Sequence, residues 1–312
     1  MHSTAALWDV AVPSLPGPLR GVSMAGFSDH AASPVDLDVV PYPAVTIALD
    51  LGDGILAVED GAGGRQHGTA VVGLGAGGVR THNQGIECIQ IRLSPLVAHA
   101  VLGPPAELVS LDDLWGREAT RVREQLRDTA SWDDRFALAA TALARRYAAG
   151  RPVAPELRFA WGELVRTTGA VRIEELAAET GWSRKRLWSR FRTQLGLTPK
   201  RAAQLIRFDH AAHRLAAGQR PGQVAAESGY ADQSHLNRDT AAFAGTTPTA
   251  VAEAAWLTID EIAWARPAYL QPGPAGFRRA SCRPRVGGRR GAGGAPSAPP
   301  APRTRAVLPD LA

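Results

Sequence analysis

The stretch WSRKRLWSRFRTQLGLTP, residues 182–199, decides the fold, because a stretch of the same design returns as YADQSHLNRDTAAFAGTTP, residues 230–248. Each copy follows a glycine, opens on an aromatic residue, and ends on a glycine and a Thr-Pro pair. Glycine turns, polar caps and proline restarts mark helix boundaries. The repeated order therefore predicts a short helix, a turn and a second helix, twice: a double helix-turn-helix.

The second helix of each copy has an apolar face and a polar face. Leu187, Phe191 and Leu195 recur every four residues in the first copy, and Leu236 and Phe243 are the apolar residues of the second. The opposite faces carry donors and acceptors, which a helix needs near its N-terminal end when that end enters the major groove of DNA. The helix pattern alone is equally typical of a solvated surface, so the interpretation depends on the repeat.

Charge is unevenly distributed along the chain, whose formal net charge is +5. Residues 1–153 carry −5, residues 154–257 carry +4 and residues 270–312 carry +7. The repeat contains a basic run without one acidic residue between Trp182 and Arg201, which attracts a polyanion. The phosphate-contact candidates in this run are Arg184, Arg186, Arg192, Lys200 and Arg201.

The chain before the repeat reads as strands followed by helices. From Gly21 to about Leu93, short apolar runs are cut by Gly, Pro and Asp, which favours a small antiparallel sandwich or barrel. From residue 95 to 150 the apolar spacing becomes helical. We predict an α+β protein with domains at 1–150 and 151–258 and a disordered tail at 270–312, where Gly, Pro, Ala and Arg dominate.

Proline and glycine mark the predicted boundaries of two helices in the second domain. Residues 199–218 predict a central helix between the copies, which begins at Pro199 and ends at Gly218. Pro248 predicts a last helix that runs through Trp256.

Residues 154–257 resemble the DNA-binding domain of the AraC/XylS transcriptional regulators, most clearly in GYADQSHLNRDTAAFAGTTPTAV, 229–251, and GWSRKRLWSRFRTQLGLTPKRA, 181–202. The resemblance covers about a third of the chain and implies seven helices, in which a long central helix sets two reading helices into successive major grooves. It implies that the base-contact residues are Lys185, Trp188, Ser189, Gln233, Ser234, His235 and Arg238.

Two positions depart from that family's pattern. Thr240 stands where an aromatic residue is usual, and Ala244 is also small, so the second reading helix is either held more loosely or supported by Phe243 and Trp256 instead. Trp188 flanks the apolar stripe of its helix, so packing is an alternative to base contact there.

The first domain resembles, more weakly, the cupin-like sensor domains that precede such readers. This implies a small-molecule effector and self-association as a homodimer through its helices. No cofactor is expected. His67, His82, Glu87 and His99 raise the alternative of a metal site, but they lack a close ligand pair, so satisfied or surface histidines are preferred.

Two cysteines, Cys88 and Cys282, are too few for a disulfide framework, and no apolar run is long enough to span a membrane. The chain is therefore expected to be soluble and cytoplasmic, with double-stranded DNA as its partner and no membrane. The alternative class is an enzyme, in which an alkyl-transfer or hydrolase domain with Cys88 as nucleophile is fused to the reader. Cys88 lies in the apolar segment IECIQI without an adjacent base or cation, which disfavours that role.

Overall fold

The computed structural model of the protein describes residues 8–264, except residue 16, residues 30–32 and residues 104–106. The predicted disordered tail at 270–312 therefore lies outside the described residues. The described residues belong to one compact unit. The boundary near residue 150 stays a prediction.

Antiparallel strands form the first part of the chain. Within the described residues they are β1 (Trp8–Ala11), β2 (Val22–Asp29), β3 (Val35–Val39), β4 (Val45–Asp50), β5 (Ile55–Asp60), β6 (Arg65–His67), β7 (Thr69–Val72), β8 (Val79–Gln84), β9 (Glu87–Leu93) and β10 (Leu108–Val109). One sheet has the order β1-β2-β9-β4-β7-β10, and the other has the order β3-β8-β5-β6. Both sheets are open, so the sandwich is the correct one of the two predicted forms and the closed barrel is wrong.

The burial of β8 and β9 shows how these sequences fit the sandwich. In β8, Val79, Thr81 and Asn83 are buried and alternate with more exposed residues, as a strand with one covered face requires. Strand β9 is covered on both faces. Ile89 packs against the helices that cover the larger sheet, whereas Cys88 belongs to the core between the two sheets.

Helices α1 (Pro95–Leu102), α2 (Leu111–Trp115), α3 (Arg117–Arg127) and α4 (Trp132–Ala149) follow β9, with the short strand β10 between α1 and α2. Their apolar faces share one core with the outer face of the larger sheet. The hydroxyl of Ser131 caps α4 by accepting a hydrogen bond from the backbone N–H of Asp134. The change from strands to helices after residue 95 is thereby confirmed.

Seven helices form the predicted double helix-turn-helix: α5 (Pro155–Arg166), α6 (Ile173–Thr180), α7 (Arg184–Leu195), α8 (Pro199–Ala216), α9 (Pro221–Glu227), α10 (Gln233–Ala244) and α11 (Pro248–Ala252). The first unit is α6–α7 and the second is α9–α10. Helices α7 and α10 each have 12 residues. The central helix α8 has 18 residues, a rod of about 27 Å.

The same local signals shape both units. Ser183 and Asp232 cap α7 and α10 by accepting hydrogen bonds from backbone N–H groups three residues later. Gly181 and Gly229 adopt positive φ angles of 68° and 75° in the turns before these caps, where a side chain would be strained. The predicted order of helix, glycine turn, capped helix and Thr-Pro restart is confirmed in both copies.

The predicted last helix, from Pro248 through Trp256, is wrong in its extent. Helix α11 ends at Ala252, and the chain is extended at Ala254, where ψ is 119°. A further helix, α12 (Ala255–Ala263), follows the seven and packs on α8, β1 and β3. Trp256, two residues after the extended Ala254, is 5% exposed.

Candidate nucleic-acid interface and adjoining cavity

Helix α7 presents its polar residues outward. Leu187, Phe191 and Leu195 are buried, as their four-residue spacing predicts. Trp188 is 49% exposed, so it lies on the outer face and not in the core. The guanidinium of Arg192 lies 5.5 Å from its ring, which places a cation beside an accessible aromatic surface.

Most cations of the first unit are accessible. The exposed polar residues of α7 include Arg184, Lys185, Arg186, Ser189, Arg190 and Arg192. Arg184 forms an ion pair with Glu174 at 3.3 Å, but both side chains are exposed, so the pair contributes little and leaves the cation available. The sequence-predicted base residues of this unit and the phosphate candidates on α7 are thus all exposed on that helix.

Helix α10 carries the predicted residues of the second unit. Gln233, Ser234 and Arg238 are exposed. His235 is half-buried: its ring lies 5.1 Å from that of Tyr230, edge to face, and its Nδ1 accepts a hydrogen bond from the backbone N–H of Ala231 at 3.4 Å. His235 therefore supports the turn with one edge, which leaves less of its ring for a base.

The buried side of α10 is tied to the central helix α8. Asp239 is 6% exposed and accepts hydrogen bonds from Gln204 and Arg207 at 3.4 Å each. The ring of Phe243 stacks on that of Phe208 with centroids 5.2 Å apart. Phe243 thus supplies an aromatic contact between α10 and α8.

Thr240 itself is fully buried. Its hydroxyl donates a hydrogen bond to the carbonyl of Leu236 at 2.8 Å, so the polar atom is satisfied within the helix.

Lys200 and Arg201 differ in placement although they are adjacent. Lys200 is exposed at the start of α8. Arg201 is half-buried, lies 3.6 Å from the ring centroid of Phe243 and donates a hydrogen bond from Nη2 to the carbonyl of Ala242 at 3.1 Å. Burial lowers the pKa of the Arg201 guanidinium, while the Asp239 carboxylate opposes that shift.

A cavity of about 280 Å³ lies between the two sheets, and the helical part of the chain completes its wall. Leu37, Ala48 and Val58 contribute from the sheets, and α8, α10 and α12 contribute from the other side. Among the described residues that line it, Arg201 alone is charged. The buried Asn83 Oδ1 and the Nε1 atoms of two lining tryptophans have no hydrogen-bond partner within the described protein.

The four candidate metal ligands are not brought together. His67 is exposed at the end of β6, His82 lies 2.7 Å from Asp36, and Glu87 pairs with a buried arginine of α4. His99 is buried in α1. Within the described ranges, no group of three or more His, Cys, Asp or Glu residues is placed to hold a metal ion.

Cys88 is fully buried, and burial raises the pKa of its thiol, with nearby carboxylates adding to the shift. A thiol held in its neutral form is a poor nucleophile. Of the helices in the described part of the chain, none combines the length and apolarity needed to cross a membrane.

Three further exposed polar residues of the two units were not among the sequence-predicted site residues. Asn237 is exposed four residues after Gln233, the helical spacing that would have revealed it. Arg172 and Arg220 are exposed at the N-caps of α6 and α9, at equivalent positions of the two units. Their shared offset within the repeat was the available signal.

The comparisons with known proteins agree with this geometry. A family model described as a helix-turn-helix domain matches residues 176–254. An uncharacterized HTH-type transcriptional regulator of Bacillus subtilis (strain 168), YbfI, is 38% identical over 66 residues, which are 21% of this chain and 24% of that protein. The match thus spans about a quarter of the curated relative.

Two solved structures resemble the chain distantly. ToxT from Vibrio cholerae O395 is 12% identical with a TM-score of 0.44, over 76% of this chain and 98% of that one. The AraC-like transcriptional activator CuxR is 17% identical with a TM-score of 0.29, over 61% of this chain and 81% of that one.

The matched residues coincide with the two helix-turn-helix units from α6 to α11. Both the repeated caps and the central helix α8 have the form that the sequence resemblance implies. Residues 176–254 are therefore a helix-turn-helix domain, and part of the chain is similar to part of an HTH-type transcriptional regulator.

Proposed function

We propose that the protein is a sequence-specific transcriptional regulator whose helices α7 and α10 read two successive major grooves of double-stranded DNA. The main support is that two 12-residue helices, each with a side-chain cap at its N-terminus and a polar outer face, pack on one central helix. Major-groove readers place such a helix against base edges and surround it with cations for phosphates. A DNA reader acts where DNA is held, so the cytoplasm remains our proposed location.

The two units divide the contacts in this proposal. In the first, Lys185, Trp188 and Ser189 read bases while the arginines of α7 hold phosphates. In the second, Gln233 pairs with adenine and Arg238 with guanine, the pairings that amide and guanidinium groups favour. Ser234 and the free edge of His235 complete that set.

Replacing Arg238 by alanine is expected to relax base preference at one position, at a cost of about 1–3 kcal/mol for the preferred sequence. Replacing Arg192 by alanine is expected to weaken binding to all sequences and to lower the slope of log affinity against log salt by about 0.9. Both effects are measured by titrating selected and random duplexes at several salt concentrations.

Arg166→Ala is the matched control, because Arg166 is an exposed arginine of α5 that pairs with Glu163 and lies outside both reading helices. It should leave affinity, preference and salt slope unchanged. If the Arg238 and Arg192 variants behaved like this control, the proposed reader would be wrong.

We propose further that the cavity between the sheets binds a small organic anion with an apolar body as the effector. Its wall is mostly apolar, and Arg201 supplies its one positive charge among the described lining residues. A concave apolar site with few polar groups is the usual form of a small-molecule site. In this proposal Arg201 binds the effector and does not contact a DNA phosphate, whereas Lys200 does contact a phosphate.

Substitutions of the neighbouring residues Lys200 and Arg201 test whether Arg201 binds the effector or a DNA phosphate. Lys200→Met is expected to lower the salt slope of DNA binding by about 0.9, and Arg201→Met to leave the slope unchanged. Calorimetric titration with octanoate is expected to show binding to the parent and to the Lys200 variant, and a loss of about tenfold or more in the Arg201 variant, since a charge-assisted contact is removed. An Arg201 variant with a lowered slope and unchanged octanoate binding would return Arg201 to the phosphate contacts.

The two other classes find less support. A catalytic role for Cys88 conflicts with its buried, neutral thiol. A metal-binding module conflicts with the separation of His67, His82, Glu87 and His99 on different elements. Self-association as a homodimer remains a proposal from the resemblance of the first domain.

A further inference from the structure

Helix α12 lies beyond the matched helix-turn-helix residues, which end at residue 254. It packs on α8 of the reader and on β1 and β3 of the sandwich. One helix thus contacts both parts of the chain. Nothing in the double helix-turn-helix itself requires such an element.

A buried arginine of the sandwich is enclosed by α12. Arg92, on the central strand β9, is fully buried. Its guanidinium forms an ion pair with Asp260 and lies 4.2 Å from the ring centroid of Trp264 and 3.6 Å from that of Tyr42. Trp256 lies 5.8 Å away, so the residues at four-residue spacing along this segment all meet the same guanidinium.

Asp260 has a second cationic partner, on the reader. Nε2 of His213, on α8, lies 3.3 Å from Oδ2 of Asp260, and Nδ1 donates to the backbone carbonyl of Asp209 at 2.9 Å. The hydrogen bond to Asp260 raises the pKa of His213 to about 9, so both ring nitrogens carry protons at neutral pH. Burial pushes the pKa of Asp260 upward, but Arg92 and His213 outweigh it and lower that pKa.

The same helix forms part of the cavity wall. Trp256 and Ile259 line the cavity, and Ile259 precedes Asp260 directly. A molecule in the cavity therefore contacts the helix that holds the bridging carboxylate. A buried charge that loses one partner is strongly destabilised, so a movement of Asp260 away from Arg92 or His213 is costly.

We propose that α12 is a strap that couples the cavity to the central helix α8, with Asp260 as the joint between Arg92 of the sandwich and His213 of the reader. Occupation of the cavity shifts α12, and Asp260 passes that shift to the helix that orients α7 and α10. This regulatory step rests on the proposed function, whereas the joint itself does not.

Amide hydrogen exchange of the full chain tests the joint without DNA. In Asp260→Asn, the amides of α12 and of residues 209–216 on α8 are expected to exchange about tenfold faster or more, while those of α3 stay unchanged, because local opening follows the contacts that hold a segment. His213→Gln removes the reader side alone, and it should speed exchange in α12 and α8 but leave β9 protected. This second variant keeps the test valid if Asp260→Asn does not fold.

The matched control is Asp53→Asn, which removes an exposed pair of 2.7 Å between Asp53 and Arg127 of α3 and should leave the amides of α12 and α8 unchanged. The proposed joint is wrong if, in both Asp260→Asn and His213→Gln, exchange becomes faster in α12 but not in α8, or if neither variant differs from the control. For regulation, Asp260→Asn is expected to change DNA affinity at least about fivefold with unaltered base preference, a typical allosteric coupling. Unchanged affinity with intact preference would overturn the coupling while leaving the DNA reader in place.

Discussion

Replacing Phe208 by alanine is expected to lower the free energy of unfolding by about 3–5 kcal/mol, the usual cost of deleting a buried phenylalanine. Phe208 is fully buried on α8 and stacks on Phe243 of α10. The deletion removes buried apolar area and leaves a hole between the central helix and the second reading helix. DNA affinity should fall as well, because α10 then lacks its main aromatic contact with α8.

Chemical denaturation followed by circular dichroism measures this loss. Tyr147→Ala, an aromatic deletion at a 39%-exposed position of α4, is the matched control and should change the free energy of unfolding by well under half as much. Phe208→Leu should restore most of the stability, because it keeps much of the buried volume. A Phe208→Ala variant as stable as the Tyr147 control would contradict the role assigned to this stacking.

The double helix-turn-helix could be predicted because its boundaries are encoded locally. Gly181 and Gly229 supply positive φ angles, and Ser183 and Asp232 supply caps, each within a few residues of the boundary it sets. Such signals need no knowledge of the rest of the fold. The same holds for the strands, whose existence follows from short apolar runs, but not for the choice between open sheets and a closed barrel. That choice depends on pairing between distant strands.

The extent of α11 and the presence of α12 could not be predicted for a different reason. Asp260 pairs with Arg92, 168 positions away, and the aromatic residues around that guanidinium come from both ends of the chain. A lone arginine in the strand sequence ECIQIRL gives no sign that it is buried and paired. Only the packed structure shows that it needs the carboxylate of α12.

Within the candidate site, residues at the border between the buried and the exposed face of a helix were harder to place from sequence than residues in the middle of the exposed face. Arg201 belongs by sequence to the basic run, yet it turns toward Phe243 and the cavity. His235 lies on the reading helix, yet half of it supports the turn at Tyr230. Trp188 shows the reverse, since its angle allowed packing and it is exposed. In each case the placement of the side chain depends on a small rotation of the helix about its axis, which a periodic sequence pattern does not resolve.

We propose that one rigid helix, α8, holds the two reading helices at the spacing of two successive grooves. The preferred DNA is therefore expected to contain two half-sites separated by about one helical turn, roughly 10–10.5 base pairs. Inserting about five base pairs between them turns the second half-site to the opposite face. If half the base contacts are lost, at about 1–3 kcal/mol for each base pair, affinity should fall at least about a hundredfold.

A longer insertion distinguishes a rigid α8 from a flexible connection between the two units. An insertion of a full turn, about ten base pairs, restores the face but not the distance, so a rigid α8 does not recover the affinity. A flexible connection between the units would tolerate the full turn and reject the half turn. The buried ties of Asp239 and Phe243 to α8 favour the rigid case.

The most direct measurement is the affinity of the full chain for its selected duplex with zero, five and ten inserted base pairs between the half-sites, at one salt concentration. The duplex is obtained by selection from random oligonucleotides. We predict tight binding at the selected spacing and a loss of about a hundredfold or more for both insertions. Equal affinity at all three spacings, or selection of a single uninterrupted motif within one groove, would contradict a two-groove reader.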